Sequence, residues 1–412
     1  MRESEDAAGP LGTGGGAGGG AERPAGTGSG ASALGAGLAR RRRRRWAGAG
    51  LGAVALLVAG TGVAGWVLYA KLDGNITPDE AAAAELARYA KERPTALVKD
   101  AQNVLLIGSD SRAGDGNSAY GRDSGTERSD TTILLHLSAG RRSATAVSIP
   151  RDLMVDVPAC RRPDGSRSAP VFAMFNHSFQ TGGSACTIRT VERLTGVRID
   201  HHVVVDFHGF KKMVDALDGV EVCLKEPIRD EAAKLRLPAG RVTLDGEQAL
   251  GYVRARKSLG NGSDTDRMDR QQRFLGALVD KAQGNDVLLN PVKLYPVLDA
   301  ATSSLTTDPA LASLRGLYDL VRGLRDIPTE QVRFLTVPRE SYVHDANRDQ
   351  LVEPAAKKLF ERLRTDAPVS VTERKAPGNS TSSESPDHDV YASPSPAGPT
   401  FRGNTAGDHT CT

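Results

Sequence analysis

The sequence predicts an α/β protein: a three-layer α/β/α domain with a mixed central sheet, on a single N-terminal transmembrane helix. Two observations support this class. Short β-branched runs alternate with helical patterns between residues 101 and 365, as is typical of layered α/β domains. Far in front of them lies a stretch of about 24 uncharged residues, Trp46 to Tyr69, which as a helix is long enough to span about 30 Å of hydrocarbon.

Six consecutive arginines, Arg40 to Arg45, stand directly before the apolar stretch. The positive-inside rule places them in the cytoplasm, together with residues 1–45, which we predict to be a disordered Gly-rich tail. We therefore predict a signal anchor over residues 46–70 and an extracytoplasmic position for everything after it. A cleaved signal peptide is the alternative, but its apolar region would be shorter and no clear A-x-A site precedes Lys71.

The overall charge is close to balanced. The formal net charge is +3, from 53 Lys and Arg against 50 Asp and Glu. Without the six arginines of the run, 47 basic residues remain against 50 acidic ones. Because the basic excess is local, it indicates membrane orientation, and we expect no nucleic-acid partner.

The remaining elements follow in chain order. Residues 71–100 are predicted to form a juxtamembrane helix and linker, with Thr77 as N-cap and Pro78 at the first helical position. One domain, 101–365, is long enough to bury a sizeable core. Its predicted strands are 103–108, 131–137, 144–149, 202–207, 219–224, 250–254 and 332–337, and its predicted helices are 187–195, 209–217, 246–249, 267–283, 291–304 and 309–325. Residues 366–412 are rich in Ser, Pro, Thr and Gly and are predicted to be a disordered tail.

The chain has four cysteines, Cys160, Cys186, Cys223 and Cys411. Outside the cytoplasm they can pair, and four cysteines allow three full connectivities. We predict a disulfide between Cys160 and Cys186, which lie in Gly/Pro-flanked segments, and a buried free thiol at Cys223, which lies in a predicted strand. No zinc-ligand spacing is present in the sequence, so a zinc site is not expected.

Arginine and aspartate cluster at the ends of the predicted strands. The clusters are Asp110 with Arg112, Arg128 with Asp130, Arg151 with Asp152, Arg254 with Arg256, and the run from Asp264 to Arg273. Ligands of open α/β sheets collect at strand ends. Arginine offers a rigid fork for phosphate oxygens, and paired aspartates can hold a hard divalent ion. Together the clusters predict a phosphoryl-transfer site, although any single Arg–Asp pair is more commonly a surface ion pair.

Six motifs occur in order: NVLLIGSDSR, RSDTTILLHL, ATAVSIPRDLMVDVP, FNHSFQTGG, LDGEQALGYVRAR and DRMDRQQRFL. They resemble the successive motifs of the LytR–CpsA–Psr family, over residues 103–282. The resemblance implies a membrane-anchored, extracytoplasmic phosphotransferase of cell-wall assembly. Such an enzyme moves a glycopolymer, for example a teichoic acid, from a polyprenyl-pyrophosphate carrier to peptidoglycan and forms a phosphodiester. The implied partners are the lipid-linked glycopolymer, peptidoglycan and the membrane.

The resemblance also implies roles for individual residues. Asp110 and Asp130 match metal-binding aspartates, with Mg²⁺ or Mn²⁺ as the cofactor. The implied pyrophosphate-binding residues are Arg128, Arg151, Arg254, Arg256, Arg267 and Gln271. Among these, Arg128 and Arg151 are implied to be catalytic, together with Asp130. Arg112 and Asp264 belong to the same motifs with less defined roles.

Other interpretations stay open at this point. A membrane-bound regulatory or attenuator protein is one alternative, and a polyprenyl-pyrophosphate binder or pyrophosphatase is another. The intact set of arginines and aspartates disfavours a binder without activity. A cluster of histidines, His177, His201, His202 and His208, allows a metal or general-base role, but a structural role is the simpler interpretation.

Overall fold

The computed structural model describes residues 32–109, 129–231, 233, 235–255, 264–283, 290–372 and 399–409. The chain divides into two units, Met1–Trp66 and Val67–Thr412. Helix α1, Ser32–Asn75, begins in the first. Its segment Ala49–Asn75 is long and apolar enough to cross a membrane. The helix also includes residues 32–45, so the prediction of a disordered tail is wrong for that part, whereas residues 1–31 lie outside the described residues.

The second unit is built on a mixed sheet of nine strands, in the order β1-β12-β7-β2-β3-β4-β13-β17-β16. These strands are β1 Thr77–Pro78, β2 Gln102–Ser109, β3 Ser129–Leu137, β4 Ala144–Ile149, β7 His201–Asp206, β12 Leu305–Thr307, β13 Val332–Thr336, β16 Ser370–Thr372 and β17 Thr400–Thr405. The other strands pair two by two: β5 Met154–Val157 with β6 Val171–Met174, β8 Val220–Leu224 with β11 Gly240–Leu244, β9 Ile228–Asp230 with β10 Leu235–Leu237, and β14 Arg339–Tyr342 with β15 Asp345–Leu351.

The helices of the second unit are α2 Glu80–Arg88, α3 His177–Thr195, α4 Phe207–Ala216, α5 Gly246–Arg254, α6 Asp264–Gln283, α7 Pro291–Thr302, α8 Leu314–Arg325 and α9 Glu353–Arg364. Short 3₁₀ turns cover Thr329–Gln331 and Ala406–His409.

Alternate residues of the central strands face opposite layers, as strand geometry requires. On one face, Leu134 and Val147 belong to a core cluster with Ile188 of α3 and Leu359 of α9. On the other face, the neighbouring Ile133 packs in a second cluster, against which side chains of α6 and α8 pack. A third cluster joins α4, α5 and α6 to β8–β11. The predicted three-layer α/β/α arrangement is therefore confirmed.

Three predicted elements are wrong. Residues 250–254 continue α5 and do not form a strand, because a capping box between Asp245 and Gln248 starts a helix that runs through them. Thr77 is not a helix cap: residues 77–78 form β1 and Asp79 caps α2. The tail predicted to be disordered over residues 366–412 contains β16 and β17, which extend the central sheet; residues 373–398 and 410–412 lie outside the described residues.

Candidate active site

The strand directions bring several strand ends to one place. β2 is parallel to β7, β4 is parallel to β13, and β3 is antiparallel to both β2 and β4. The carboxyl ends of β2, β4, β7 and β13 and the start of β3 therefore share one edge of the sheet, which we call the carboxyl edge. The register confirms it, since Ser109 pairs with both Ser129 and Asp206. Ligands of α/β sheets bind at such an edge.

Several residues assigned from the sequence lie outside the described residues or have side chains that are not described. Arg112 and Arg256 belong to segments outside them, as do Asp110 and Arg128, which directly adjoin the cross-strand partners Ser109 and Ser129. For Asp130 in β3 and Asp264 in α6 only the backbone is described. The predicted metal pair and the role of Arg128 thus stay predictions.

Arg151 lies at the carboxyl edge, separated from the end of β4 by Pro150 alone. Its Nε lies 3.3 Å from Oδ2 of Asp152, in an ion pair that is partly exposed. The backbone is held as well, because the carbonyl of Arg151 accepts a hydrogen bond of 3.0 Å from the amide of Asn176. The structure therefore fixes the main chain of this arginine and leaves its side chain in contact with solvent at the end of the sheet.

Arg254 reaches the same edge from α5. Its guanidinium carbon lies 4.6 Å from the centre of the Phe207 ring, a cation–π contact. Phe207 begins α4 immediately after Asp206, the last residue of β7. The stacking thus holds Arg254 at the end of the central strand β7, although the two are far apart in the sequence. Arg254 itself remains exposed.

Helix α6 fixes the segment around Arg254. The side-chain Nε2 of Gln271 donates to the backbone carbonyl of Val253 at 3.1 Å. The guanidinium of Arg270 donates to the backbone carbonyl of Ala255. The two bonds hold the residues on either side of Arg254. Gln271, assigned to pyrophosphate from the resemblance, therefore also has a structural contact, and Arg267 is buried beside it in the same helix.

Gln272 supports the carboxyl edge through a contact that the sequence did not predict. Its side-chain Nε2 donates to Oγ of Ser148 at 3.0 Å and to Oγ1 of Thr336 at 3.2 Å, near the carboxyl ends of β4 and β13. The side chain is buried. This contact attaches α6 to the carboxyl edge. Its signal in the sequence is the four-residue spacing from the apolar Met268, which places both residues on the inner face of the helix.

A cavity of about 740 Å³ opens beside the carboxyl edge. Its lining residues come from α2, the ends of β2 and β7, the middle of α3 and the connection between β5 and β6; they include Asp79, Arg88, Ser109, Arg161, Arg162, Gly183 and Asp206. Gly182 and Gly183 break the helical geometry of α3 at this point. A Cβ on Gly182 would lie 2.7 Å from the carbonyl oxygen of Arg161, so only glycine permits this close approach.

Two of the four clustered histidines form carboxylate contacts between segments. His202 Nε2 lies 3.2 Å from Asp79, which also caps α2 and accepts from Ser184. Burial would raise the pKa of Asp79, but these hydrogen bonds outweigh it and the pKa is lowered. His201 contacts Asp308 at 3.2 Å. Within the parts of the chain that the structure describes, no group of three or more His, Cys, Asp or Glu side chains could hold a metal ion.

The predicted disulfide between Cys160 and Cys186 is confirmed, with a Cα–Cα distance of 5.6 Å. It connects the segment after β5 to α3 beside the cavity. The prediction of a free thiol at Cys223 is wrong, because this residue is also disulfide-bonded. Cys411 lies outside the described residues.

Comparison with known proteins decides the family. Residues 73–365, well over half of the chain, match the LytR_cpsA_psr family. The chain belongs to this family. The resemblance seen in the six motifs is therefore confirmed, and it extends beyond them to β13 and α9.

Individual members of the LytR_cpsA_psr family are similar over part of their length. The chain is 40% identical over 210 residues to the probable cell wall biosynthesis protein LcpB of Corynebacterium glutamicum, covering 50% of this chain and 47% of that protein. It is 30% identical over 263 residues to the polyisoprenyl-teichoic acid–peptidoglycan teichoic acid transferase TagT of Bacillus subtilis, covering 62% of this chain and 75% of that protein.

The fold is shared with solved members of the family. The crystal structure of TagV from B. subtilis superposes with a TM-score of 0.51 at 21% identity, covering 66% of this chain and all of that one. The chain spans about half the length of the curated C. glutamicum relatives that it matches, with 47% of LcpB and 50% of LcpA covered.

Proposed function

We propose that this LytR_cpsA_psr protein transfers a glycopolymer from a polyprenyl-pyrophosphate carrier to peptidoglycan and joins them through a phosphodiester. The observation that carries the proposal is the convergence of Arg151 and Arg254 at one carboxyl edge, from separate parts of the chain. Similarity to TagT of B. subtilis, a polyisoprenyl-teichoic acid–peptidoglycan teichoic acid transferase, supports it. We propose that the enzyme is a phosphotransferase on these grounds.

The arginines supply the chemistry that this transfer needs. A hydroxyl of the acceptor sugar attacks the phosphorus on the sugar side of the pyrophosphate. The new O–P bond forms as the bond to the second phosphate breaks, and polyprenyl phosphate leaves with the displaced electron pair, while the hydroxyl proton passes to solvent. Arg151 and Arg254, with Arg128 and Arg256, bind the phosphate oxygens and stabilise the charge that moves to the leaving group.

We propose that Asp110 and Asp130 hold the divalent cation, Mg²⁺ or Mn²⁺. Their donor chemistry fits, because carboxylate oxygens are the ligands that hard cations prefer. Their place in the chain fits as well, since each directly follows one of the cross-strand partners Ser109 and Ser129. Such an ion, when bound, neutralises negative charge on the pyrophosphate. Asp110→Asn and Asp130→Asn should raise the Mg²⁺ concentration needed for half-maximal transfer.

The proposal is tested by reconstituted transfer from a polyprenyl-pyrophosphate glycan to peptidoglycan oligomers, with the phosphodiester product measured by mass spectrometry. Arg151→Ala and Arg254→Ala should each reduce the rate by about a hundredfold, the cost of one lost contact to developing charge. Lysine should not rescue either position, because a point charge does not reproduce the guanidinium fork.

Arg322→Ala is the matched control, since Arg322 is an exposed arginine on α8, away from the carboxyl edge, and its loss should leave the rate unchanged. Near-normal transfer by the Arg151 and Arg254 variants would contradict the site. Release of phosphate with no phosphodiester product would instead favour a pyrophosphatase.

We propose that the domain lies outside the cell, with the N-terminus in the cytoplasm. The arginine run before the anchor supports this orientation. The Cys160–Cys186 disulfide supports it as well, because disulfides persist in oxidising compartments. An enzymatic reporter that is active only outside the cytoplasm should be active when fused to the C-terminus. Activity of a cytoplasm-only reporter at that point would contradict the orientation.

A further inference from the structure

Two β-hairpins are attached directly to the turn that carries Arg151. Directly after β6, the backbone amides of Phe175 and Asn176 donate to the carbonyls of Leu153 and Arg151, at 2.8 and 3.0 Å. From β15, the amide of Asp349 donates to the carbonyl of Asp152 at 3.1 Å. The hairpin β5–β6 and the hairpin β14–β15 are therefore both anchored to the backbone around the proposed catalytic arginine.

The two hairpins together present three neighbouring aromatic rings, of which Phe172 and His344 are exposed and Tyr342 is half-buried. The ring centres of Phe172 and Tyr342 are 6.2 Å apart, and those of Tyr342 and His344 are 5.2 Å apart. We call these three rings the aromatic platform. Phe172 is 52% exposed and the adjacent Val343 is 73% exposed. A register shift between Ser341 and Tyr342 marks an irregularity of the kind that re-aims a side chain.

The rim of the aromatic platform is polar and carries carboxylates. Asp156 is exposed and is the cross-strand partner of Phe172. Glu340 is exposed and accepts a hydrogen bond of 2.8 Å from Gln350. Carboxylates and amides bind sugar hydroxyls, whereas the apolar faces of pyranose rings pack on aromatic side chains. Carboxylates on the rim oppose binding to an anionic lipid surface, which attracts basic residues.

We propose that the aromatic platform binds the sugar rings of the peptidoglycan acceptor strand and presents its hydroxyl to the carboxyl edge. The inference rests on the proposed function and adds where the acceptor lies. Asp156, the partner of Phe172, is five positions after Arg151, a reach of at most about 17 Å, comparable with a few linked sugars.

The lipid-linked donor needs a place of its own, separate from the aromatic platform. The cavity beside the carboxyl edge is lined by α2, which follows α1 closely in the chain. The cavity lies on the side of the carboxyl edge formed by β2 and β7, so a second substrate has a place there that is separate from the aromatic platform. The acceptor is assigned to the Arg151 side, at the end of β4, where the aromatic platform is attached.

The test measures the steady-state kinetics of the full-length protein in lipid nanodiscs, with each substrate varied while the other is saturating. Phe172→Ala and Tyr342→Ala should each raise the KM for peptidoglycan oligomers by about tenfold, as for one lost aromatic anchor. The KM for the polyprenyl-pyrophosphate glycan and the kcat should stay unchanged. Tyr342→Phe, which keeps the ring, should behave as the unchanged protein, whereas Tyr342→Leu should not.

Tyr318→Ala is the matched control, because Tyr318 is 61% exposed on α8, away from both hairpins, and it should leave both KM values unchanged. An unaltered KM for the oligomers in the Phe172 and Tyr342 variants would overturn the proposal. A raised KM for the glycan donor would overturn it too.

Calorimetric titration with soluble peptidoglycan fragments separates this inference from the proposed function. The Phe172→Ala variant should bind the fragments about tenfold more weakly, even in an assay in which no transfer occurs. Equal binding by the variant and the unchanged protein would overturn the platform. A variant that keeps fragment binding but loses binding to vesicles of anionic lipid would also overturn it, since the surface would then be a membrane contact.

Discussion

Removing the disulfide between Cys160 and Cys186 should strongly destabilise the domain. The two residues are 26 positions apart in the chain. In the chain-entropy model, releasing a loop of that length gives the unfolded chain about 3.5 kcal/mol of additional conformational freedom at 25 °C. Because domains are stable by only about 5–15 kcal/mol, this is a large share of the total. The released loop contains β6, the pairing partner of β5, so the support of the Arg151 backbone should loosen as well.

The perturbation is the double substitution Cys160→Ala and Cys186→Ala. Alanine is preferable to serine because both positions are buried, where an added hydroxyl would lack a partner. Substitution is preferable to reduction, because a reductant would also cleave the disulfide of Cys223. The assay is unfolding by denaturant in mild detergent, followed by circular dichroism, with and without dithiothreitol.

The expected result is a free energy of unfolding lower by about 3.5 kcal/mol than that of the unchanged protein without reductant. In dithiothreitol the two proteins should become nearly equal, since both then lack the cross-link. A difference below about 1 kcal/mol without reductant would refute the entropic reasoning and show that the unfolded chain is already constrained.

Three further predictions concern the stability of the domain. Glu192 and Arg93 form a largely buried ion pair, with 2.7 Å between Oε1 and the guanidinium nitrogen. Glu192→Ala leaves the charge of Arg93 without this partner, so the free energy of unfolding measured in urea should fall by about 3–5 kcal/mol. Burial lowers the pKa of His136 below its ordinary value of 6.5; its contribution is therefore present above pH 6.5 and is lost as the pH falls through the folded-state pKa, and a pH series of melting curves should show this loss disappear in His136→Gln. Gly403→Val should detach β17, because its Cβ would lie 2.2 Å from a carbonyl oxygen of β13, and should lower the melting temperature, whereas Gly407→Ala, with nothing nearer than 3.7 Å, should not.

Much of the central fold could be predicted from local pattern. The strand over residues 144–149 has the predicted bounds, and those near 103–108, 131–137 and 332–337 differ by at most two residues at either end. These runs are β-branched and apolar because they are buried on both faces of a layered sheet. Period and composition are local properties, so they could be read without knowing what each strand would contact.

Elements whose state depends on distant partners could not be predicted. β17 is polar and Gly-containing, and it is a strand because β13 offers it an unpaired edge. The hairpin β14–β15 is similarly polar on its exposed face. Residues 250–254 were predicted to be a strand because of their alternating side chains, but the capping box at Asp245 commits them to α5. For β17 the deciding contact lies outside the local window, whereas the capping box that commits residues 250–254 to a helix is a local signal.

The candidate site shows the same division. The sequence by itself indicated which residues are candidates for the chemistry, because arginine and aspartate are the side chains suited to phosphate and a hard cation. Only the tertiary structure decided that Arg151 and Arg254 share an edge, through the strand order, the stacking of Arg254 on Phe207 and the bonds from Gln272 to β4 and β13. Residue chemistry is a property of each side chain, whereas proximity results from strand pairing and packing between segments far apart in the chain, which no local pattern encodes.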